Sequence, residues 1–417
     1  MHVIVLGAGV AGLTAAWCLA GDGHAVTVID REAGPGRGAS YANGGQLSYS
    51  YVAPLAAPSA LLDLPRWLVQ RDAPMRFRPQ LDPQQWAWCL RFLAACTAGQ
   101  NRRGAERLLT LSFYSRRLVD ELVAETALAF DHNCAGKLVV YSSADSYAAA
   151  LRQRDFQARF GCQQQAATVA DCLEIEPALA SLRDRLVGGI FTPSDQAGDC
   201  AAFCAALETR LRRTAPPVRF LYGHTVTRLI ADGGRLQGVE TDHGLVTGDG
   251  YVLALGVGAA RLARGVGLSL PIYPLKGYSL TAPITDPRAA PSVSVTDYAR
   301  KIVYARLGDR LRAAGMADVV GEDTAIAGDR MALLLREARA TFPAAADYQQ
   351  VECWSGLRPA TPTGLPILGG CRLENLWLDV GLGALGFTLA MGAARVVADL
   401  IAGRRPVISL DALSLSG

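Results

Sequence analysis

The sequence predicts an α/β fold: a discontinuous Rossmann-type domain carrying an inserted α+β domain with an antiparallel sheet. Three observations predict it. Residues 3–30 read as strand, helix, strand. Residues 376–403 again read as strand, glycine turn, helix. Between these ends lie many short strand-like segments with turn signals, interrupted by helical stretches.

The elements follow in order. "VIVLG" (3–7) is a short apolar strand, "VAGLTAAWCLAGDG" (10–23) a helix ending in glycine, and "AVTVID" (25–30) a second strand. A polar, Gly-rich loop follows, "REAGPGRGASYANGGQLSYSYVAP" (31–54). Residues 84–130 carry a helical pattern rich in Trp, Leu and Arg. "KLVVYSS" (137–143) reads as a strand, 144–160 as a helix, "LVGGIF" (186–191) as a strand and "AAFCAALETRLRR" (201–213) as an amphipathic helix. Residues 218–256 and 272–316 are strand-rich. "GLRPATPTGLPILGG" (356–370) reads as a stiff turn, because Gly and Pro dominate it. The opening β-α-β unit cannot stand alone. The expected division is 1–50, 195–265 and 350–417 for one domain, with 51–194 and 266–349 for the other.

Composition excludes several functions. Of 417 residues, 50% are hydrophobic and 19% charged, enough for a large core. The formal net charge of +3 gives no electrostatic footprint for nucleic acid. The ten cysteines contain no C-x-x-C pair, Cys200 and Cys204 being nearest in sequence, and no metal-type Cys/His cluster is visible. Scattered cysteines without an export signal read as reduced, cytosolic thiols. Val3 to Gly21 lacks charge, but no basic segment precedes it and glycines interrupt it, so strand–turn–helix fits better than a signal peptide. No transmembrane helix is expected, since Val380–Ala394 is Gly-rich and too short.

"GAGVAG" places Gly7, Gly9 and Gly12 in G-x-G-x-x-G spacing. The first glycine allows a tight turn, the second a close backbone approach to pyrophosphate, the third close packing of helix on strand. The helix N-terminus then offers free N–H groups to an anion. Asp30 ends the next strand, 18 residues after Gly12, placed for a ribose hydroxyl. This combination points to a dinucleotide and does not separate NAD from FAD. Two segments favour FAD: "YVLALGVGA" (251–259) is a buried strand ending in Gly, where a second backbone segment passes the cofactor, and "DVGLGALGF" (379–387) opens the last helix with N–H groups that face an anionic oxygen such as the flavin N1–C2=O locus. The same glycines also suit close packing alone.

Five segments in this order, "MHVIVLGAGVAGLTAAWCLA", "YANGGQLSYSYVAP", "YPLKGYSLT", "GLRPATPTGLPILG" and "GLGALGFTLAMGAARVVADLIAGRRP", span nearly the whole chain. The set resembles the bacterial D-amino-acid dehydrogenase small subunit, within the FAD-dependent amine oxidoreductases that include glycine oxidase and sarcosine oxidase. The resemblance implies FAD, a D-amino acid substrate, a 2-oxo acid product, electron delivery to a quinone or another acceptor that is not O2, and peripheral membrane association. Carried over by residue, Gly7, Gly9, Gly12 and Asp30 hold the ADP half, with Val3, Val10, Arg31, Val226 and Gly256 beside them. Ser40, Asn43, Gly44, Gly45, Gln46 and Leu47 line the pyrophosphate, ribityl and flavin side. The last-helix turn, Gly383, Ala384, Leu385, Gly386, Phe387 and Thr388, meets the isoalloxazine edge. Arg358 corresponds to the arginine that binds the substrate carboxylate, and Tyr51, Tyr278 and Lys276 are pocket neighbours, the two tyrosines being candidate catalytic residues with Arg358. Gly356 stands where some relatives attach flavin to a cysteine, which implies non-covalent FAD. The chain departs from the family pattern at Thr363 (usually Asp), Leu382 (often His) and Ala314 (Gly). Three readings therefore stand beside the main one: a paralogue acting on a cyclic or N-substituted amino acid, an oxidase using O2, and a non-catalytic FAD protein serving as a redox sensor or assembly subunit.

None of the five histidines, His2, His24, His132, His224 and His243, falls in these motifs, so no general base is apparent. Flavin chemistry tolerates that: a neutral amine passes its Cα hydrogen to flavin N5 as hydride, and the protein binds, orients and excludes water. Arg358 suits such a task, because a guanidinium grips a carboxylate with two parallel hydrogen bonds of about 1.5–3 kcal/mol each. The bland alternative is a structural salt bridge. "PRWLVQRDAPMRFR" (65–78) mixes arginines with Trp67, Leu68, Met75 and Phe77, which suits an anionic membrane surface or, equally, an ordinary surface lid. The expected location is the cytoplasm, with the inner-membrane surface as the alternative.

Overall fold

The computed structural model describes residues 1–61, 70 and 72–415. Two sheets organise them. The first has six strands in the order Ile367–Gly370, Leu376–Val380, Gly250–Leu253, His2–Leu6, Ala25–Asp30 and Arg219–Tyr222. All neighbours are parallel except the first pair, which is antiparallel. Its central strands are near-continuous runs of apolar residues, as strands covered on both faces must be. One face packs against the helices Val10–Gly21, Ala98–Thr126, Cys200–Leu211 and Gly386–Ile401. The other packs against the helix Gly258–Gly265 and a three-stranded antiparallel sheet, Val226–Asp232, Arg235–Thr241 and Gly244–Val246. The apolar segment Gly383–Ile401 is long enough to cross a membrane, but most of it is buried inside the protein, so it is a core helix here.

The second sheet has nine strands. Eight run in the order Glu352–Ala360, Tyr273–Pro283, Arg310–Val319, Ile302–Leu307, Ser294–Asp297, Lys137–Tyr141, Gly188–Thr192 and Gln165–Ala167, and Met75–Phe77 adds to the end of Arg310–Val319. Most pairs are antiparallel; Ser294–Asp297 with Lys137–Tyr141 and Met75–Phe77 with Arg310–Val319 are parallel. Because side chains alternate, one face of this sheet forms a core with the helix Gly328–Thr341, and the other receives the loop that follows the strand Ala25–Asp30.

Two expectations change. Residues 356–360 are not a turn. They belong to the edge strand Glu352–Ala360 of the nine-stranded sheet, where Pro359 is tolerated because an edge strand has unpaired positions. A turn at residues 361–366 then carries the chain to Ile367–Gly370 in the six-stranded sheet, so "GLRPATPTGLPILGG" is a strand–turn–strand crossing between the two sheets. The segment from Glu352 to Ala360 accordingly sits with the second sheet, not the first. Of the basic stretch 65–78, Arg66, Trp67, Leu68 and Arg71 lie outside the described residues, while Met75–Phe77 is a strand.

A buried ion pair bolts the nine-stranded sheet to its helix layer. Arg330, 0% exposed, binds Asp318, 1% exposed, with Nε 3.1 Å from Oδ1. Arg330 also donates to Ala73 O at 2.7 Å, and Tyr278 donates to Asp318 at 3.0 Å. Removing one partner leaves the other charge buried alone. Asp318→Ala is therefore expected to destabilise the fold by about 3–5 kcal/mol, read as a lowered urea midpoint; an unchanged midpoint would show that Arg330 is held by other groups.

Candidate flavin and carboxylate site

The glycine-rich turn has the geometry its spacing implies. Gly7 has φ +111°, and a Cβ there would lie 2.6 Å from Ala254 O. A Cβ at Gly12 would lie 1.8 Å from Gly7 O, so helix and strand approach too closely for any side chain. The helix Val10–Gly21 starts at Gly9 without any side-chain cap from Gly9 itself; Ser40 Oγ accepts from Val10 N at 3.0 Å. Asp30 ends its strand beside this turn and accepts from Ala8 N at 2.6 Å and Glu32 N at 2.9 Å. Burial raises the Asp30 pKa, and those two backbone bonds oppose the rise. Gly256 (φ +57°) and Gly383 (φ +57°) both face open space where a Cβ would stand, which leaves bare backbone for a ligand to approach. These features fit a dinucleotide such as FAD.

The loop Ala42–Ser50 crosses the open face of the nine-stranded sheet as a strap. Ser279 Oγ donates to Ala42 O at 2.6 Å and Arg312 Nη1 to Asn43 O at 2.9 Å. Asn43 Oδ1 accepts from Gly45 N at 3.0 Å, and Gly198 N donates to Gly45 O at 2.9 Å. A Cβ at Gly44 would lie 2.8 Å from Val303 Cγ2 and 3.7 Å from Ala314 Cβ, so the strap rests on the sheet itself. Gln46 pairs with Ala197 and Leu47 with Gln196. On the other side, Thr388 in the first turn of the last helix accepts from Ser48 N at 3.1 Å and donates to Gln46 O at 3.3 Å. The strap therefore joins the second sheet to the N-terminus of the last helix, which has no side-chain cap.

Arg358 occupies the edge strand opposite Leu275, with Gly356 opposite Gly277. Its guanidinium runs diagonally across the ladder and lies on Gly277: a Cβ there would fall 2.4–2.5 Å from Nη1, Nη2 and Cζ. A bulge in the facing strand completes the bed. Lys276 pairs with Asp318 and Tyr278 with Gly315, so Met316 and Ala317 together oppose Gly277. Met316 adopts φ +61°, and its carbonyl accepts from Arg358 Nη1 at 2.8 Å. Arg358 is half-buried by surface area, yet its guanidinium is surrounded by protein atoms. Burial lowers its pKa, with the Asp318 charge opposing; a guanidinium stays protonated at neutral pH nonetheless. Among the described residues, Met316 O is its one hydrogen-bond partner, and no carboxylate lies within ion-pair distance. The salt-bridge alternative is therefore not what this structure holds. Four of the five guanidinium N–H groups have no acceptor among the described residues.

The other expected residues divide. Tyr278 and Lys276 alternate to the sheet face opposite Gly277 and Arg358. Tyr278 packs in the second core, and Lys276 donates to Asp323 at 3.1 Å. Neither is brought to the guanidinium. Tyr51 packs with Tyr141, Tyr147 and Tyr298, and burial raises its pKa well above the usual phenol range. The side chains of Val3, Leu47 and Val226 are core residues, and Phe387 meets Phe130 and Phe203 edge-on, so only their backbone can serve the site. Arg31 is exposed beside Glu32. Ala384 and Leu385 form a 3-10 turn before Gly386. The departures have local accounts: Thr363 Oγ1 accepts from Leu365 N at 3.3 Å and caps the turn, Leu382 packs into the main core, and Ala314 supports Gly44.

Four contributors were missed in the sequence. Gly277 had a signal, since glycine within a strand marks close approach of another group. Met316 had none, because a bulge leaves no composition mark. Lys137 and Asp379 look like ordinary polar residues beside apolar runs, yet both are buried. Asp379 has no hydrogen-bond partner for either oxygen, and burial raises its pKa to about 8.

Gly277→Ala is expected to push the guanidinium off its bed while leaving the glycine turn intact. Its holoenzyme should retain FAD and show a raised KM for the substrate, in the same direction as Arg358→Ala. An unaltered KM in both variants would remove the carboxylate role from Arg358.

The DAO family model, described as FAD dependent oxidoreductase, matches residues 2–400. D-amino acid dehydrogenase 2 of Ralstonia nicotianae is 46% identical over 425 residues, covering 100% of each chain. D-amino acid dehydrogenase of Paramagnetospirillum magneticum is 44% identical over 416 residues, covering 100% of this chain and 98% of the other. Among solved structures, glycine oxidase from Geobacillus kaustophilus shares the fold with TM-score 0.78 at 23% identity, over 99% of this chain and 98% of that one. L-proline dehydrogenase from P. horikoshii does so with TM-score 0.75 at 17% identity, over 99% and 96%. With the glycine turn, the terminal acid and the strap all in place, the chain belongs to the DAO family of FAD-dependent oxidoreductases.

Proposed function

We propose that the protein dehydrogenates D-amino acids, yielding an imino acid that hydrolyses to a 2-oxo acid and ammonia. The observation that carries this reading is Arg358: a buried guanidinium without a carboxylate partner, mounted on Gly277 and the Met316 carbonyl. Such a group calls for an anionic ligand, and an amino acid's carboxylate fits it bidentately. FAD, held by the glycine turn, Asp30 and the strap, supplies the hydride acceptor when bound. The chain's residues supply position: Arg358 fixes the carboxylate end, and the sheet and strap exclude water. The relatives named D-amino acid dehydrogenase support the D configuration and an acceptor other than O2; a quinone is the reading we adopt.

One surface favours a membrane-bound acceptor. The helix Pro83–Ala95 buries Trp88 and Phe92 but turns Trp86, Leu90 and Leu93 outward at 47, 67 and 39% exposure, next to fully exposed Leu81. Exposed Arg78, Arg91, Arg102 and Arg103 lie in the same region of the chain. An apolar stripe with cationic neighbours suits the surface of an anionic bilayer.

Anaerobic mixing of the FAD-loaded protein with a panel of amino acids tests the chemistry. D-amino acids are expected to bleach the flavin band and their L forms to leave it, with little peroxide formed in air. Bleaching by cyclic or N-methyl substrates alone would favour the paralogue reading, and no bleaching at all the non-catalytic one. Leu90→Asp is expected to weaken binding to anionic vesicles at low salt without changing flavin reduction; wild-type protein that ignores such vesicles would end the membrane reading.

A further inference from the structure

Lys137 opens its strand in the nine-stranded sheet and is 2% exposed. Its ammonium donates to Gln46 Oε1 at 2.7 Å and to Ser48 Oγ at 2.7 Å, and it lies 4.5 Å from the centre of the Tyr51 ring. Among the described residues no carboxylate is within ion-pair distance of it. A buried ammonium with only neutral acceptors is costly, and an apolar side chain of equal length would fill the same space. The two acceptors belong to the strap. Their other contacts lead to Thr388 at the N-terminus of the last helix, while Gln46 Nε2 donates to Ser294 Oγ at 2.5 Å, which fixes the amide in one orientation. The strap thus has a helix N-terminus on one side and a fixed cation on the other.

We propose that Lys137 is a positioning residue that tunes the flavin: held behind Gln46 and Ser48, its ammonium supports the negative charge that reduction places on the isoalloxazine. The inference rests on the reading of this site as a flavin site. Hydride transfer delivers two electrons and one proton to the oxidised ring, which leaves it anionic near neutral pH, and a nearby cation raises its reduction potential. The titratable groups facing Lys137 are Tyr51 and Asp195, whose Oδ1 accepts from Tyr49 N and Ser50 N at 3.0 Å each. Its other neighbours, Gln46, Ser48, Ser294 and Thr192, carry no charge. Burial brings the lysine down to about 8, with Asp195 opposing. A negative flavin raises it again. Above pH 8 or so, reduction then takes up one further proton, and the potential falls more steeply with pH.

The test is the flavin midpoint potential of wild-type, Lys137→Met and Lys137→Arg holoenzymes across neutral and alkaline pH, by equilibrium dye titration. Lys137→Met is expected to have a lower potential below pH 8 and no steep segment above it. Lys137→Arg, permanently charged, should keep the higher potential and also lose the steep segment. A Lys137→Met holoenzyme with wild-type potential and slope overturns the proposal. If that variant does not fold, Lys137→Arg decides: a retained steep segment overturns it, and its loss supports it. Failure of the flavin reading would show differently, as wild-type protein that takes up no FAD.

Discussion

The site depends on burying one permanent charge without neutralising it. Arg358 lies on the bare Cα of Gly277 and bonds to the carbonyl of Met316, and the rest of the second sheet is arranged to permit this. The edge strand must be in register so that glycine faces glycine. The neighbouring strand must bulge, with Met316 in a left-handed conformation that few side chains adopt, so that a carbonyl turns toward the guanidinium. Asp318 sits on the bulged strand and attracts the guanidinium from a distance, but its oxygens are committed to Arg330 and Tyr278. Competition from a nearby acid is thus avoided by pairing that acid elsewhere. The remaining donors of Arg358 have no acceptor among the described residues.

The strap links this anion site to the nucleotide-type domain. Its carbonyls are held by Ser279 and Arg312 of the second sheet, its amide at Ser48 by Thr388 of the last helix, and Ser40, two residues before it, meets the first helix. One short segment therefore ties the second sheet to the last helix. The glycines at 44 and 45 are required by contact: Gly44 sits against Val303, and Gly45, with φ +62°, lies against Gly198. Stiffness at this junction makes the distance between the glycine turn and Arg358 a property of the fold. Such preorganisation is what the proposed reaction, which uses no general base, requires.

Much of this was legible in the sequence, for identifiable reasons. The glycine turn and Asp30 are local, so spacing alone located them. Arg358 was singled out by its setting, but the physical reason was misread: the Gly and Pro residues looked like a rigid turn, and they proved to be an edge strand leading into a crossing between sheets. Tyr278 and Lys276 failed because alternation along a strand sends neighbours of Gly277 to the opposite face, a fact that needs the register to be known. Lys137 and Met316 make their contacts with distant segments, and Asp379 is buried by packing alone, so no local pattern announces them.

The central claim is that Arg358 is a free carboxylate clamp beside the flavin. Titration of the holoenzyme with simple carboxylates, followed by the flavin absorption spectrum, tests it most directly. The account predicts a saturable spectral shift in the wild type and none in Arg358→Met, with FAD retained in both. A dissociation constant unchanged by Arg358→Met would contradict it.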